Sequence, residues 1–416
     1  LHTVLNTMNL KPIAISFALP ISFASIPMAI ASPDGHDNPP ISISSGDWTF
    51  SFGGYARTGA IWKSFDGDAP KDATDHKAGF VVLNGRMNFG LKYKDLISGR
   101  ISLDGAGGVN ALNGKSSGNV ALKDAYLDFD IVPAFRIKAG QFKPPIDFES
   151  LTSTPDANFI EQSVVSKGGN SNLYNKTDYN SGFEPGRQIG VSFYSDMLEF
   201  QSVGFRYNVA VTNGQTALSK AAEEGYFAAY GRLELGLKKS LYGDSAPGTF
   251  FTIALSGSVE LREAKIDEND DTDSLGHRYR AAGELHARYK GIEADFEAIW
   301  ERYDVLDLDD SLFVDGKYTG KRRYKALDKL GIVAQISYTL PIEYFRFQIG
   351  YRFAMMQPVM DNAKSFDSVD LYQHTASLGY VVENYPIIVR ADYTRNDETG
   401  PEIHNDTIFG IVQVRW

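Results

Sequence analysis

Residues 121–163 read ALKDAYLDFDIVPAFRIKAGQFKPPIDFESLTSTPDANFIEQS. Their alternation decides the fold. In Phe135-Arg136-Ile137-Lys138-Ala139 the apolar side chains Phe135, Ile137 and Ala139 alternate with Arg136 and Lys138. Successive side chains of a strand point to opposite faces of its sheet, so one face here is apolar and the other charged. Residues 121–130 and 134–143 form two such strands around a tight turn. Pro144 and Pro145 then stop the second strand and open an irregular run that lasts to Phe183. Connections longer than about 12–15 residues are uncommon unless functional or disordered. A water-filled barrel gives this one a function, because a loop folded inward narrows the channel.

A sandwich buries the apolar face of each sheet against a second sheet, whereas a membrane barrel turns it to lipid and the charged face to water. The rest of the chain separates the two. Further strands are expected at about 47–62, 79–94, 98–106, 184–195, 199–213, 223–238, 248–262, 276–290, 292–304, 325–340, 342–357, 370–382, 385–396 and 404–416, which makes sixteen in all. Long connections follow Trp62, Ala106, Lys143, Asn213, Arg262, Asp304, Gln357 and Asn396, and short turns fall between them. Long loops alternating with short turns around an even strand count is the plan of an outer-membrane barrel. The clearest alternation is in the second strand, where Leu83, Met87, Phe89, Leu91 and Tyr93 are assigned outward and Asn84, Arg86, Asn88 and Lys92 inward. Aromatic residues beside the short turns, among them Tyr93, Phe129, Phe135, Tyr194, Phe200, Tyr289, Tyr338, Tyr380 and Tyr385, are assigned to an interfacial girdle. The chain ends on an alternating strand with the aromatic Trp416.

The N-terminal residues carry an address. From Met8 the chain runs through Lys11 and an apolar stretch to Ala29-Ile30-Ala31, the pattern of a signal peptide with an A-x-A cleavage site. Residues 1–31 are therefore expected to be a leader starting at Met8, residues 32–46 a short periplasmic lead, and residues 47–416 the barrel, with 144–183 as the constriction loop. After Ala31 no apolar run is long enough for a transmembrane helix. Cysteine is absent, which removes disulfides, thiolate metal sites and cysteine nucleophiles.

The segment "ALKDAYLDFD" followed by "AGQFKPPIDFESLTSTPDANFIEQS" resembles the mark of the phosphate-selective porin O and P family. The resemblance implies an all-β, 16-stranded antiparallel transmembrane β-barrel that lets small ions and hydrophilic solutes diffuse across the outer membrane of a Gram-negative bacterium. It also implies a homotrimer in contact with outer-membrane lipid and lipopolysaccharide, with no nucleic-acid partner and no cofactor. Phosphate-selective members carry basic residues at the narrowest point. Here Pro144 to Gly182 holds only Lys167 and Lys176 against Asp147, Glu149, Asp156, Glu161 and Asp178. The other class kept open is a secreted or surface all-β binding protein, such as an adhesin or lectin.

Chemistry other than conduction finds little support. His286 lies near Ser256 and Ser258 on the preceding strand, but nothing marks a nucleophile, base and orienting carboxylate, and no enzyme is expected. The acidic run 267–273 offers oxygen ligands for a divalent ion but lacks the glycine and final glutamate of an EF-hand loop. It is read as a solvated loop. Net charge is −11, from 41 Lys and Arg against 52 Asp and Glu. Lumen charge outweighs net charge for selectivity, since exposed loops are screened over about 8 Å. The expected pore-lining set is Arg57, Arg86, Arg136, Lys138, Lys143, Asp147, Glu149 and Glu161. Arg57, Arg86, Arg136 and Lys138 would face the loop carboxylates across an eyelet and leave a mild preference for anions, or the two sets would pair and pin the loop to the wall.

Overall fold

The structure, a computed structural model, describes residues 41–63, 77–105, 120–168, 182–200, 203–214, 227–237, 250–261, 275–307, 313–314, 317–318, 323–340, 345–357, 370–382, 386–399 and 406–416. The expected leader, the acidic run 267–273 and Tyr385 lie outside them.

Sixteen strands close an antiparallel barrel. They are β1 (Trp48–Lys63), β2 (Lys77–Tyr93), β3 (Ile97–Asp104), β4 (Ala121–Val132), β5 (Phe135–Phe142), β6 (Gln188–Tyr194), β7 (Val203–Thr212), β8 (Phe227–Leu237), β9 (Phe250–Leu261), β10 (Leu275–Tyr289), β11 (Ile292–Asp307), β12 (Arg323–Thr339), β13 (Phe345–Gln357), β14 (Leu371–Val382), β15 (Ile387–Glu398) and β16 (Thr407–Arg415). Each pairs with the next, and β16 returns to β1 through Tyr55↔Arg415 to Lys63↔Thr407. Closure leaves no edge strand to satisfy, which is what a sheet in lipid requires. Below the end of β16, the exposed lower part of β1 is paired by a short strand, Ile41–Ser45, in register Ile41↔Phe52 to Ser45↔Trp48. Part of the expected lead 32–46 is therefore sheet. Among the described residues, no helix is long and apolar enough to cross a membrane.

Burial is inverted relative to a soluble domain. Along β13, Phe347, Ile349 and Tyr351 are exposed while Arg352 is buried on the inner side. Leu378, Val389 and Val412 are likewise exposed, and Glu260, Arg280, Glu301 and Lys329 are buried. Ionic side chains are buried only when paired, and an apolar outer band this extensive belongs in hydrocarbon. That counts against the adhesin or lectin reading, which needs the apolar face buried between sheets.

The tight turns explain the register. Tyr289 pairs with Ile292, so β10 and β11 are joined by Lys290 and Gly291 alone, with φ of 46° and 84°. Two positive φ values define the type I′ turn whose twist matches a hairpin. A Cβ on Gly291 would also lie 2.6 Å from the Thr339 carbonyl oxygen of β12. Aromatics gather at this rim: Trp48 lies 4.7 Å from Tyr93, Phe135 stacks on Phe193 at 5.9 Å, and Phe347 lies 5.1 Å from Tyr380.

Two assignments are corrected. Tyr194 does not join the girdle; its hydroxyl donates to Asp128 Oδ2 at 2.5 Å and its ring lies beside the Lys138 ammonium, on the inner face. Leu83 does not face out either. The β1–β2 register shifts between Arg57↔Asn84 and Thr58↔Val82, and the extra residue turns Leu83 inward to pack with Ile61, Val81, Ile160, Phe409 and Ile411. One added residue in a period-two pattern moves a side chain to the opposite face.

Candidate functional site

The third long connection leaves β5 at Phe142 and turns into the barrel. Asp147 caps α1 (Phe148–Leu151), its Oδ1 accepting from the Glu149 and Ser150 amides at 3.1 and 3.4 Å. Ser163 caps α2 (Val164–Lys167). The other oxygen of Asp147 accepts from the Ser166 hydroxyl at 2.6 Å, so one carboxyl holds both short helices together.

The loop seats through apolar contact. Ile146, Val164, Val165 and Phe183 pack against inward Ala228, Tyr230, Ala282, Ile299, Val333 and Ala354. Each such side chain, fully buried, is worth about 1.5–3 kcal/mol. Small wall residues make the seat. At Gly331 a Cβ would lie 2.5 Å from Val165 Cγ1 and 2.7 Å from Phe183 Cε2, so any side chain there would displace the loop.

Hydrogen bonds then fix it to the far wall. The Phe148 amide donates to Glu297 Oε1 at 3.2 Å and the Asn158 side-chain amide to Glu293 at 2.9 Å, both on β11. Arg352 of β13 donates to Glu149 Oε1 and to the Glu161 carbonyl, each at 2.9 Å. The Ile160 amide donates to Asp392 of β15 at 2.7 Å, Arg390 donates to the Ala157 carbonyl, and Gln413 of β16 donates to the Pro155 carbonyl at 3.1 Å. Arg415 pairs with Asp156 at 2.6 Å. Arg57 of β1 donates to Asn84 at 3.1 Å and to the Ile160 carbonyl.

The expected pore-lining residues thus divide. Arg57 meets the loop, and the Glu161 carboxylate is within its electrostatic reach. Asp147 and Glu149 are buried in loop anchoring. Lys143 donates to the Thr152 carbonyl at 3.2 Å, within the loop itself. Arg86 stays on the wall, paired with Asp104 at 2.9 Å and lying over the Tyr55 ring. Arg136 and Lys138 are not brought to the loop; Arg136 pairs with Asp130 and Asp196 at 3.1 Å, and Lys138 lies 3.5 Å from Asp128. The loop's receptors are instead Arg352, Arg390, Arg415, Asp392, Glu293 and Glu297. Alternation marks all six as inward, but which inward residues receive the loop depends on partners about two hundred positions away.

The loop's wall hydrogen bonds fall on β1, β11 and β13–β16, so the inner faces of β3–β7 keep partly exposed polar groups. Arg206 pairs with Glu234, and Lys138 sits between the Tyr126 and Tyr194 rings at 4.7 and 4.9 Å. In these two ion pairs the cation is the more exposed partner, 48% for Arg206 against 10% for Glu234 and 25% for Lys138 against 10% for Asp128, whereas in Arg136–Asp196 the carboxylate is the more exposed, 42% against 29%. On the covered side, charges form closed ladders. Arg280 bridges Glu260 at 2.9 Å and Glu301 at 2.5 Å, and Arg232 grips Glu284 with two bonds of 2.5 Å. His286 lies between Glu284 at 3.0 Å and Asp295 at 2.9 Å. Among the described residues, no group of three or more His, Asp or Glu is placed to hold a metal ion.

A closed barrel of sixteen strands with an apolar exterior, a charged interior and a long loop bound to its inner wall defines a porin of the Gram-negative outer membrane. Residues 56–374 match the family described as phosphate-selective porin O and P, and the chain belongs to that family. A search among curated protein sequences finds no match. Solved structures share the fold at low identity. An anion-selective porin from Comamonas acidovorans is 11% identical over 89% of this chain and 100% of its own, with a TM-score of 0.53. OprB of Pseudomonas putida is 13% identical over 88% and 94%, with a TM-score of 0.52. The trimer form of OmpT from Vibrio cholerae is 12% identical over 89% and 99%, with a TM-score of 0.50.

Proposed function

We propose that this porin passes small hydrophilic solutes with a mild preference for anions, along the inner faces of β3–β7. The observation that carries this is the unequal exposure within two lumen ion pairs: Arg206 and Lys138 face the water while Glu234 and Asp128 lie behind them. A permeating ion meets the exposed partner first and at close range, where screening is weakest. The preference is for anions in general. Arg57, Arg232, Arg280, Arg352 and Arg390 all bond to carboxylate or carbonyl oxygens of the chain itself, which leaves no reason for a dedicated phosphate cage among them. Of the expected pore-lining set, Lys138 keeps that role, while Arg57, Asp147 and Glu149 serve to hold the loop.

A homotrimer embedded in lipid and lipopolysaccharide accords with this reading. The outward positions Gly54, Ala56, Thr58 and Ala60 of β1 and Gly410 of β16 are small, and Phe80 beside them is 92% exposed, a surface suited to another barrel. His286 is read as a structural residue of the lumen wall. Both ring nitrogens of His286 are engaged by carboxylates, and the Ser256 and Ser258 hydroxyls make no hydrogen bond to it.

Reversal potentials across a bilayer under a potassium chloride gradient test the sign. The expected result is a modest shift toward the chloride potential; clear cation selectivity would overturn the proposal.

A further inference from the structure

The root of the third loop gathers more buried negative charge than the nearby cations balance. Asp147 is 1% exposed and, among the described residues, belongs to no ion pair. Glu149, two residues on, is committed to Arg352. Across the interface β11 contributes Glu297, also 1% exposed; one oxygen accepts from the Phe148 amide, and the other, Oε2, has no hydrogen-bond partner among the described residues. Glu297 stands directly opposite Glu284 of β10. Glu284 is already engaged by the Arg232 guanidinium and the His286 imidazole on its side. From the returning arm of the loop Glu184 adds a carboxylate, itself paired with Lys167 of α2. Like charges facing across a sheet repel, and a buried carboxylate without a cation favours its neutral form.

We propose that this root is a proton-operated latch, in which charging Asp147 opens the clasp between α1 and α2 and loosens the third loop over the lumen. The clasp is the geometry already described: Asp147 Oδ1 on the α1 amides and Oδ2 on the Ser166 hydroxyl of α2. Burial first, and the Glu149 carboxylate second, push the Asp147 carboxyl up to about 7, outweighing the hydrogen bonds from Ser166 and Ser150, which favour its charged form. Its pKa is thus higher in the docked loop than in water. Docking stability from this group is therefore fully present below the ordinary carboxylate range and is lost as pH rises, the loss being complete above about 7. Charge then sits beside Glu149 and Glu297 with no cation of its own. The backbone at Asp147 has a positive φ of 65°, and asparagine keeps the shape of the aspartate side chain there without its charge. Asp147→Asn is thus a fitting neutral replacement.

The absence of native cysteine permits a clean reporter. Val164→Cys places a thiol on α2 where the native side chain is buried, and Ser45→Cys places one at an exposed position outside the loop. In the detergent-folded protein, the rate of maleimide modification at position 164 divided by that at 45 removes the pH dependence of an exposed thiol. The ratio is expected to rise by up to about tenfold per pH unit between pH 5 and 7 and then level off. In the Asp147→Asn background it should stay flat. A flat ratio with Asp147 present, or the same rise in the Asp147→Asn background, where that charge is gone, overturns the latch. Should the cysteine at 164 prevent folding, single-channel recordings of the cysteine-free protein serve instead. Current noise must grow over the same pH range and must not do so in Asp147→Asn. The thiol assay needs no conduction, so its failure is distinct from failure of the anion-channel proposal.

Discussion

Glu149 of α1 and Arg352 of β13, 203 positions apart in the chain, meet at 2.9 Å inside the barrel. Arg352 also lies over the Phe159 ring at 4.7 Å and donates to the Glu161 carbonyl. One arginine therefore holds three points of the loop, and the loop is bound to the wall opposite the strand from which it departs.

Breaking that contact should free the loop while leaving the barrel closed. Arg352→Ala leaves Glu149 buried without its partner, and removal of one member of a buried pair costs about 3–5 kcal/mol. Limited proteolysis of the detergent-folded protein should show new cleavage within 144–168, with the heat-modifiable gel mobility of the barrel retained. Cleavage no faster than in the parent would count against the docking role.

Ion selectivity should follow exposure rather than the number of inward arginines. Reversing Arg206 and Lys138 together to Glu removes the more exposed cation of each of those two pairs and should move the reversal potential to the cation side. Arg57→Gln, whose parent guanidinium is buried against the loop, should shift it far less. Equal shifts in the two variants would contradict the assignment of the conducting face.

Lys143 tests the same rule through pH. It follows the end of β5, and burial first, with the Arg187 guanidinium second, brings its ammonium down to about 8. The group is charged below that value and neutral above it, but it is buried and donates to the Thr152 carbonyl, so the reversal potential should move far less between about pH 7 and about pH 9 than on reversing Arg206 and Lys138. A titration shift of equal size that vanishes in Lys143→Met would contradict the rule.

Filling the seat of the loop should displace it. Gly331→Leu sets a side chain where Val165 and Phe183 already stand, and overpacking of this kind costs about 1–3 kcal/mol. Because β12 keeps its ladder to β11 and β13, the barrel should still form and single-channel conductance should rise. Unchanged conductance would show that the loop adapts without leaving the lumen.

The sequence by itself determined the barrel. Side chains on a strand alternate with period two, and in a membrane the two faces meet opposite solvents, so Phe347, Ile349 and Tyr351 against Gln348 and Arg352 disclose both strand and side. Turn signals such as Lys290-Gly291 are equally local. The same period misleads at Leu83, which the β1–β2 bulge turns inward, and position beside a turn misleads at Tyr194, because an extra residue or a lumen partner such as Asp128 is set by the neighbouring strand. The tertiary structure alone decided where the third loop binds and which member of each ion pair faces water. Ile160 finds Asp392 and Glu149 finds Arg352 across the full width of the closed barrel. Such meetings depend on closure bringing β13–β16 opposite β5, and no period within the chain records that.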